Sequence, residues 1–297
     1  MKLVKEINVL RSHLKEITFK AAQGGKQLQV GFVPTMGYLH AGHASLLRQA
    51  RQENDIVVLS IFVNPIQFGA NEDLDKYPRD FEADMTLAGQ MGVDIVFMPT
   101  PEEMYPTPTK THVKVSQLTD LLCGASRPGH FDGVTTVVSK LFHIVSPNVA
   151  YFGQKDAQQL AVITQMVRDL NLDVKIVPCP IVREQDGLAL SSRNVYLSDD
   201  ERQAALVLSQ SLELAKSLTS SSNSVSIGQL RDSVTNHIKT EPLAKIDYVT
   251  LTSFPELEEL EDELKYSDIQ GDILLALAVK FGNTRLIDNV ILTKKGL

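Results

Sequence analysis

The sequence predicts an α/β protein: a parallel sheet wrapped by helices, followed by a smaller α+β domain. Two observations carry that reading. Between Gln29 and Val177, apolar runs of strand length alternate about five times with stretches of helical spacing, the pattern of strand–helix–strand units with parallel strands. The run Asp55–Val63 is almost continuously apolar and rich in Ile and Val, as a strand covered on both faces should be. Beyond about Ile181 the rhythm changes to a polar turn, two helices and three strands. The domains are therefore expected at 1–180 and 181–297.

Within Met1–Lys20, the spacing of Val9, Leu10, Leu14 and Ile17 predicts a helix, which Gly24-Gly25 ends. A first strand is expected at Gln29–Val33, closed by Pro34 because proline has no N–H to give a ladder. A helix should then run to Glu53 and a strand over Asp55–Val63. The next helix is expected from Asp75–Asp80 through Met91, followed by a strand at Val93–Phe97. Pro99–Pro108 reads as a proline-rich loop and His112–Val115 as a short strand. Gly124–Gly133 reads as a glycine-rich polar loop, either a mobile wall over a site or a plain connector. A helix should follow, burying Val134, Val137, Val138, Leu141, Phe142 and Val145 on one face. Strands at Val149–Phe152 and Asp173–Val177 flank a helix opened by Gly153-Gln154-Lys155-Asp156, and Cys179 is expected in the turn leaving the last strand. In the second domain, Ser198-Asp199-Asp200-Glu201 is a capping box for a helix to about Leu218. Ser220–Ser224 is a loop, and Ile227–Lys239 a helix. Ile246–Leu251, Asp272–Val279 and Arg285–Leu292 are strands.

The segment Pro34–His43 stands between the first strand and its helix. Gly37 and Gly42 let backbone approach a ligand closely. A helix start leaves N–H groups unpaired and carries partial positive charge, so it can hold phosphate. His40 and His43, three apart, share one face there. Such a pair also suits a zinc site or ordinary packing, but no cysteine cluster or third ligand motif lies near. Asn64 and Gln67 leave the carboxyl end of the next strand, where open α/β sheets bind ligands. An amide both donates and accepts, which suits a hydroxy acid as well as a loop cap. Lys155 at a helix start can meet phosphate, Asp156 can cap that helix, and Gln159 lies one turn further on. Arg193 beside Ser191 and Ser192 makes a phosphate grip of a guanidinium and two hydroxyls. Neither a Walker sequence nor a Gly-x-Gly-x-x-Gly after a strand occurs, so the nucleotide mode is neither P-loop nor ordinary dinucleotide binding.

With 297 residues the chain has ample length for two cores, and its formal net charge of −7 argues against a nucleic-acid surface. Cys123 and Cys179 are far apart in sequence and read as free thiols of a reducing compartment. No apolar stretch has signal-peptide or membrane-spanning length, so a cytoplasmic protein without membrane partners is expected.

Six segments together resemble the pantothenate synthetase (pantoate–β-alanine ligase) family. They are Pro34-Thr35-Met36-Gly37-x-Leu39-His40-x-Gly42-His43, Phe62-Val63-Asn64-Pro65-x-Gln67-Phe68, Arg127-Pro128-Gly129-His130-Phe131-x-Gly133-Val134, Phe152-Gly153-x-Lys155-Asp156-x-Gln158-Gln159, Ser191-Ser192-Arg193-Asn194 and Arg285-Leu286-Ile287-Asp288-Asn289. The resemblance runs from near Val30 to Leu292. It implies a Rossmann-like nucleotidyltransferase domain and ATP-dependent joining of pantoate to β-alanine through pantoyl adenylate, with pyrophosphate and AMP released. It implies that His40 and His43 bind ATP phosphates, with His43 the proton donor, and that Lys155, Arg193, Ser191 and Ser192 balance phosphate charge, with Asn64 assisting. Met36, Gly37 and Gly153, with Asp156, Val182 and Leu190, would line the nucleotide pocket. Gln67 and Gln159 would hold pantoate and β-alanine. Mg²⁺ would accompany ATP, held chiefly by phosphate oxygens and water, and the enzyme would be a homodimer. The alternative is an adenylyltransferase acting on a phosphate-bearing acceptor, which shares the first histidine motif.

Overall fold

The computed structural model describes residues 1–69, 74–75, 77–221 and 224–294. They divide into two compact units, Met1–Gln154 with Val162–Pro180, and Lys155–Ala161 with Ile181–Leu297.

The first unit follows the alternation in the sequence: β1 (Lys2–Val4), α1 (Ile7–Gln23), β2 (Val30–Thr35), α2 (Ala41–Glu53), β3 (Ile56–Ile61), α3 (Phe81–Gln90), β4 (Ile95–Phe97), α4 (Pro101–Met104), α5 (Leu122–Ser126), α6 (His130–Val145), β5 (Val149–Gly153), α7 (Ala157–Asp169) and β6 (Lys175–Cys179). The first residues of α7 belong to the second unit. Six strands form one sheet in the order β1-β4-β3-β2-β5-β6, every neighbouring pair parallel. From β2 the chain steps outward through β3 to β4, then returns to β5 and β6 on the other side of β2. The order reverses between β2 and β5, so the ligand crevice of such a sheet lies at their carboxyl ends.

Every residue of β3 is buried, as its apolar run predicts. On one face Val33, Val57, Leu59 and Tyr151 pack with Leu47 and Ala50 of α2 and Ala88 of α3. Val134, Val137, Val138, Leu141, Phe142 and Val145 of α6 are all buried. The Phe142 ring meets Phe32 at 6.3 Å and Phe152 at 6.4 Å between centroids, both edge-on.

Several expectations need correction. β1 is a strand inside a segment read as helical, and three residues are too few for periodicity to show. β2 continues through Pro34, which was expected to end it. The Thr35 carbonyl accepts from Phe62 N on the β3 side, so Pro34 turns its nitrogen toward β5. There β2 pairs only at Gly31 and Phe32, and the missing N–H breaks no ladder. His112–Val115 is not a strand. Val113 is instead tied to α6, its N–H donating to Thr136 Oγ1 at 3.0 Å and its carbonyl accepting from Thr135 Oγ1. The expected loop Gly124–Gly133 instead holds the end of α5 and the start of α6. Cys179 is the last residue of β6, paired with Gly153, rather than part of a turn. Burial pushes its thiol up to about 12, so it is an inert core group. The expected helix start at Asp75–Asp80 includes Lys76, outside the described residues; the helix itself begins at Phe81, capped by Asp80.

The second unit contains α8 (Asp199–Ala205), α9 (Val207–Ser221), α10 (Ile227–Ile238), β7 (Ala244–Phe254), β8 (Asp272–Phe281) and β9 (Thr284–Leu292). Ser198 closes its capping box with Glu201 as expected, but the helix breaks at Leu206 into α8 and α9. Helix α9 runs through Ser221, into the expected loop Ser220–Ser224, of which residues 222–223 lie outside the described set. The three strands pair antiparallel in the order β7-β8-β9. Their core joins Leu208 and Leu212 of α9 and Leu230 and Val234 of α10 to Leu275, Leu277 and Val279 of β8.

Candidate functional site

The first unit carries its polar side chains at the carboxyl ends of β2 and β3. After β2 the backbone turns through Gly37 and Tyr38, at φ 83° and 52°, before α2 begins. Both values are left-handed, and Gly37 suits the first at no steric cost. His40 is the N-cap of α2: its Nδ1 accepts from Gly42 N at 3.1 Å, while His43 Nδ1 accepts from His40 N at 3.3 Å. The histidines thus form a reciprocal capping box, a role usually filled by Ser and Glu. Accepting at Nδ1 assigns the Nε2–H tautomer to both rings, so each carries a donor on its outer nitrogen. The rings lie 4.2 Å apart between centroids. No acidic residue stands in the first turn of α2, which preserves its partial positive charge for an anion.

Asn64 and Gln67 lie on a short 3-10 turn after β3, and both are buried. Asn64 Nδ2 donates to Gln67 Oε1 at 3.1 Å and to the Gly133 carbonyl at 3.2 Å, and its Oδ1 accepts from Tyr105 OH at 2.7 Å. One of these bonds fixes the Gln67 side chain, and the other two tie Asn64 to α6 and to Tyr105. Gln67 Nε2, by contrast, donates to Met36 Sδ at 3.1 Å. A thioether is a weak acceptor, easily exchanged for a substrate oxygen. Met36, Gln67 and Asn64 are thereby brought together.

The start of α6 braces this turn. His130 Nδ1 contacts the Gln67 carbonyl at 2.9 Å, and Arg127 Nη1 reaches His130 Nε2 at 2.9 Å. A Cβ on Gly133 would stand 2.5 Å from Gln67 Cα and 2.6 Å from the Ile66 carbonyl. Only glycine lets the helix come so close. Sequence reasoning missed Tyr105, whose hydroxyl orients Asn64 and whose ionisation burial pushes far up. The nearest signal was its place within the proline-rich loop.

In the second unit, Val182 and Leu190 face each other, Leu190 N donating to the Val182 carbonyl at 3.0 Å. Ser191 caps the 3-10 turn Ser192–Tyr196, accepting from Arg193 N at 3.2 Å. Lys155, Ser191 and Arg193 line one small cavity, joined by Asn194 and Asp288. The two cations and one of the two hydroxyls assigned to phosphate are therefore together. Asn289 Nδ2 donates to the Lys155 carbonyl at 2.8 Å, and Arg183 grips Asp288 through two bonds of 2.6 and 3.0 Å. The segment Arg285–Asn289, to which sequence reasoning gave no role, thus holds the backbone at Lys155. Asp156 is exposed beside Lys155, and Gln159 is half-buried in the first turn of α7. Gly153 ends β5, two residues before Lys155 along the chain.

No three His, Cys, Asp or Glu side chains gather into a metal-binding group among the described residues, and no helix there is long and apolar enough to cross a membrane.

Known proteins resemble the chain over nearly its whole length. The family model described as Pantoate-beta-alanine ligase matches residues 2–291. A pantothenate synthetase of Caldicellulosiruptor saccharolyticus is 57% identical, covering 94% of this chain and 96% of its own. That of Pelotomaculum thermopropionicum is 55% identical over 98% of this chain and 99% of its own. Among solved structures, pantothenate synthetase from Thermus thermophilus superposes with a TM-score of 0.86 at 44% identity, covering 98% of this chain and 99% of its own. A pantoate-beta-alanine ligase from Francisella tularensis, complexed with beta-gamma ATP and beta-alanine, gives a TM-score of 0.75 at 33% identity over 98% and 97%.

Proposed function

This chain belongs to the pantoate-beta-alanine ligase family, and from that premise we propose how its own residues carry the reaction. It is an ATP-dependent ligase that condenses pantoate with β-alanine. A carboxylate is a poor acylating agent for an amine and must first gain a leaving group. An oxygen of the pantoate carboxylate attacks the α-phosphorus of ATP, the bond to the bridging oxygen breaks, and pyrophosphate leaves. The β-alanine nitrogen then attacks the acyl carbon of pantoyl adenylate, AMP leaves, and the nitrogen loses a proton.

The observation that carries the residue assignment is the reciprocal histidine cap at the carboxyl end of β2. With Nδ1 of each ring fixed on backbone, the Nε2–H of His40 and His43 meets the ATP phosphates as negative charge grows on the departing pyrophosphate, and His43 is the proton donor. This is electrostatic stabilisation by groups placed in advance. Lys155 and Arg193, helped by Ser191 and Ser192, balance further phosphate charge. Met36, Gly37, Gly153, Asp156, Val182 and Leu190 line the nucleotide site, some through backbone groups. Gln67 and Gln159 hold pantoate by its hydroxyl and carboxylate and serve β-alanine as well. Asn64 serves by setting the Gln67 amide, which its three hydrogen bonds support.

Mg²⁺ accompanies ATP in this reading. It would be held chiefly by phosphate oxygens and water and, bound there, would neutralise phosphate charge. We further propose a cytoplasmic homodimer, with residues 1–180 binding ATP and pantoate and residues 181–297 supplying the Ser191–Arg193 phosphate loop.

ATP–pyrophosphate exchange with pantoate present and β-alanine absent tests the scheme. Pantoate-dependent exchange is expected. Failure of both exchange and AMP formation on adding β-alanine would replace it with adenylyl transfer to a phosphate-bearing acceptor.

A further inference from the structure

Asp84 lies on α3, which supplies no residue to the roles above. It is buried, with 3% of its surface exposed. Its Oδ2 accepts from Tyr38 N at 3.0 Å and its Oδ1 from Leu39 N at 2.6 Å. These are the N–H groups that follow Gly37, where the backbone is left-handed at two successive residues. Tyr38 gains nothing intrinsic from φ 52°, and a side chain persists there only when its surroundings enforce the conformation. Successive N–H groups in such a turn form an anion-binding concavity. Here the protein's own carboxylate fills it. The turn is also pressed from both sides: a Cβ on Gly37 would lie 3.0 Å from Asp84 Oδ2 and 2.9 Å from Ile61 Cγ2 of β3. Leu39 leads directly into His40, whose N–H and ring make half of the cap on α2.

We propose that Asp84 is a positioning residue for catalysis: its carboxylate holds the Gly37–Leu39 turn and thereby aims the His40–His43 pair. This rests on the reading that those histidines serve the ATP phosphates. Burial opposes the charge and raises the carboxyl above its ordinary range, despite two backbone donors that favour the ionised form. A costly buried charge whose partners are both in one loop is spent on the shape of that loop.

Asp84→Asn tests it. The amide has one acceptor oxygen, so one of the two N–H groups would face a donor. The kcat of pantoate-dependent ATP–pyrophosphate exchange should fall about 10²-fold, the scale of an ångström of misplacement, while the KM for pantoate stays within about twofold because ground-state binding is untouched. The ¹⁵N spectra of His40 and His43 should lose their fixed Nε2–H tautomer. Asp80→Ala, which removes the cap of the same helix, should lower thermal stability yet keep kcat and the histidine spectra. Unchanged kcat and spectra in Asp84→Asn would overturn the proposal. So would an equal loss of kcat in Asp80→Ala, since that would trace the effect to α3 as a whole. If Asp84→Asn does not fold, Asp84→Glu takes its place in both assays: it keeps both oxygens but displaces them by a methylene. Absence of exchange in the unsubstituted protein would count against the reaction scheme instead, and the histidine spectra would then decide the positioning role alone.

Discussion

His40 and His43 share one cap but are not equivalent under truncation. His40 accepts from an N–H of the first turn of α2, so His40→Ala removes a helix cap worth about 1 kcal/mol along with a donor. His43 accepts only from His40 N among the contacts that define the cap, and His43→Ala is the cleaner probe. It should leave the fold intact and lower adenylate formation about 10²-fold or more, as loss of a transition-state donor does; pantoate-dependent exchange measures this, and unchanged turnover removes His43 from the mechanism. Gln67→Ala should instead raise the KM for pantoate, because its Nε2 sits against a sulfur that a substrate oxygen readily displaces. A change confined to the KM for ATP would reverse that assignment. The histidine pair was legible in the sequence because its cap is made within four residues. Asp84 was not: its partners are backbone N–H groups 45 and 46 residues earlier, and backbone leaves no trace in side-chain pattern.

Among elements, the junction of α6 with the Asn64–Gln67 turn has the tightest geometric limit. Gly133 faces backbone, with Gln67 N at 2.7 Å from a notional Cβ, and backbone cannot swing aside like a side chain. Gly133→Ala should therefore force α6 away from the turn and cost about 1–3 kcal/mol, the usual range for overpacking. It should also loosen Gln67, since Asn64 bonds the Gly133 carbonyl and His130 the Gln67 carbonyl across this junction. A urea titration and the KM for pantoate should shift together; a stability loss with unchanged KM would show that α6 supports the fold without tuning the site. This junction explains why Gly124–Gly133 was read two ways. Its glycines and polar residues resemble a connector, and nothing local shows that the last of them is wedged against a turn from another part of the chain. Long apolar elements such as β3 and α6 were readable from periodicity. β1 is too short for that, and the Val113 segment is fixed by Thr135 and Thr136 hydroxyls rather than by a ladder.

For the whole molecule, alternation of strand and helix made the parallel sheet legible, but not the strand order. Whether the chain steps outward or doubles back across β2 is decided by which helices cover which face, a non-local matter. The second unit is closed in a similarly non-local way. Arg183, near its beginning, forks onto Asp288 in its last strand, 105 residues later. Asp288 has 2% of its side chain exposed whereas Arg183 retains 27%, so the penalty of separating them falls mainly on the carboxylate. Arg183→Ala would leave that charge buried without its guanidinium, a loss of about 3 kcal/mol. Because each unit has a core of its own, the loss need not spread through the chain. Hydrogen exchange followed by mass spectrometry should show faster exchange in β7, β8 and β9, with β2 and β3 unchanged. Equal acceleration in both sheets would mean that the two cores unfold as one cooperative body. Arg183→Met with Asp288→Leu should restore much of the stability, since an apolar pair leaves no charge to bury, yet exchange of pyrophosphate should stay depressed. Asn289 follows Asp288 directly and holds the Lys155 carbonyl, so replacing the ion pair removes the electrostatic anchor beside the residue assigned to the phosphates.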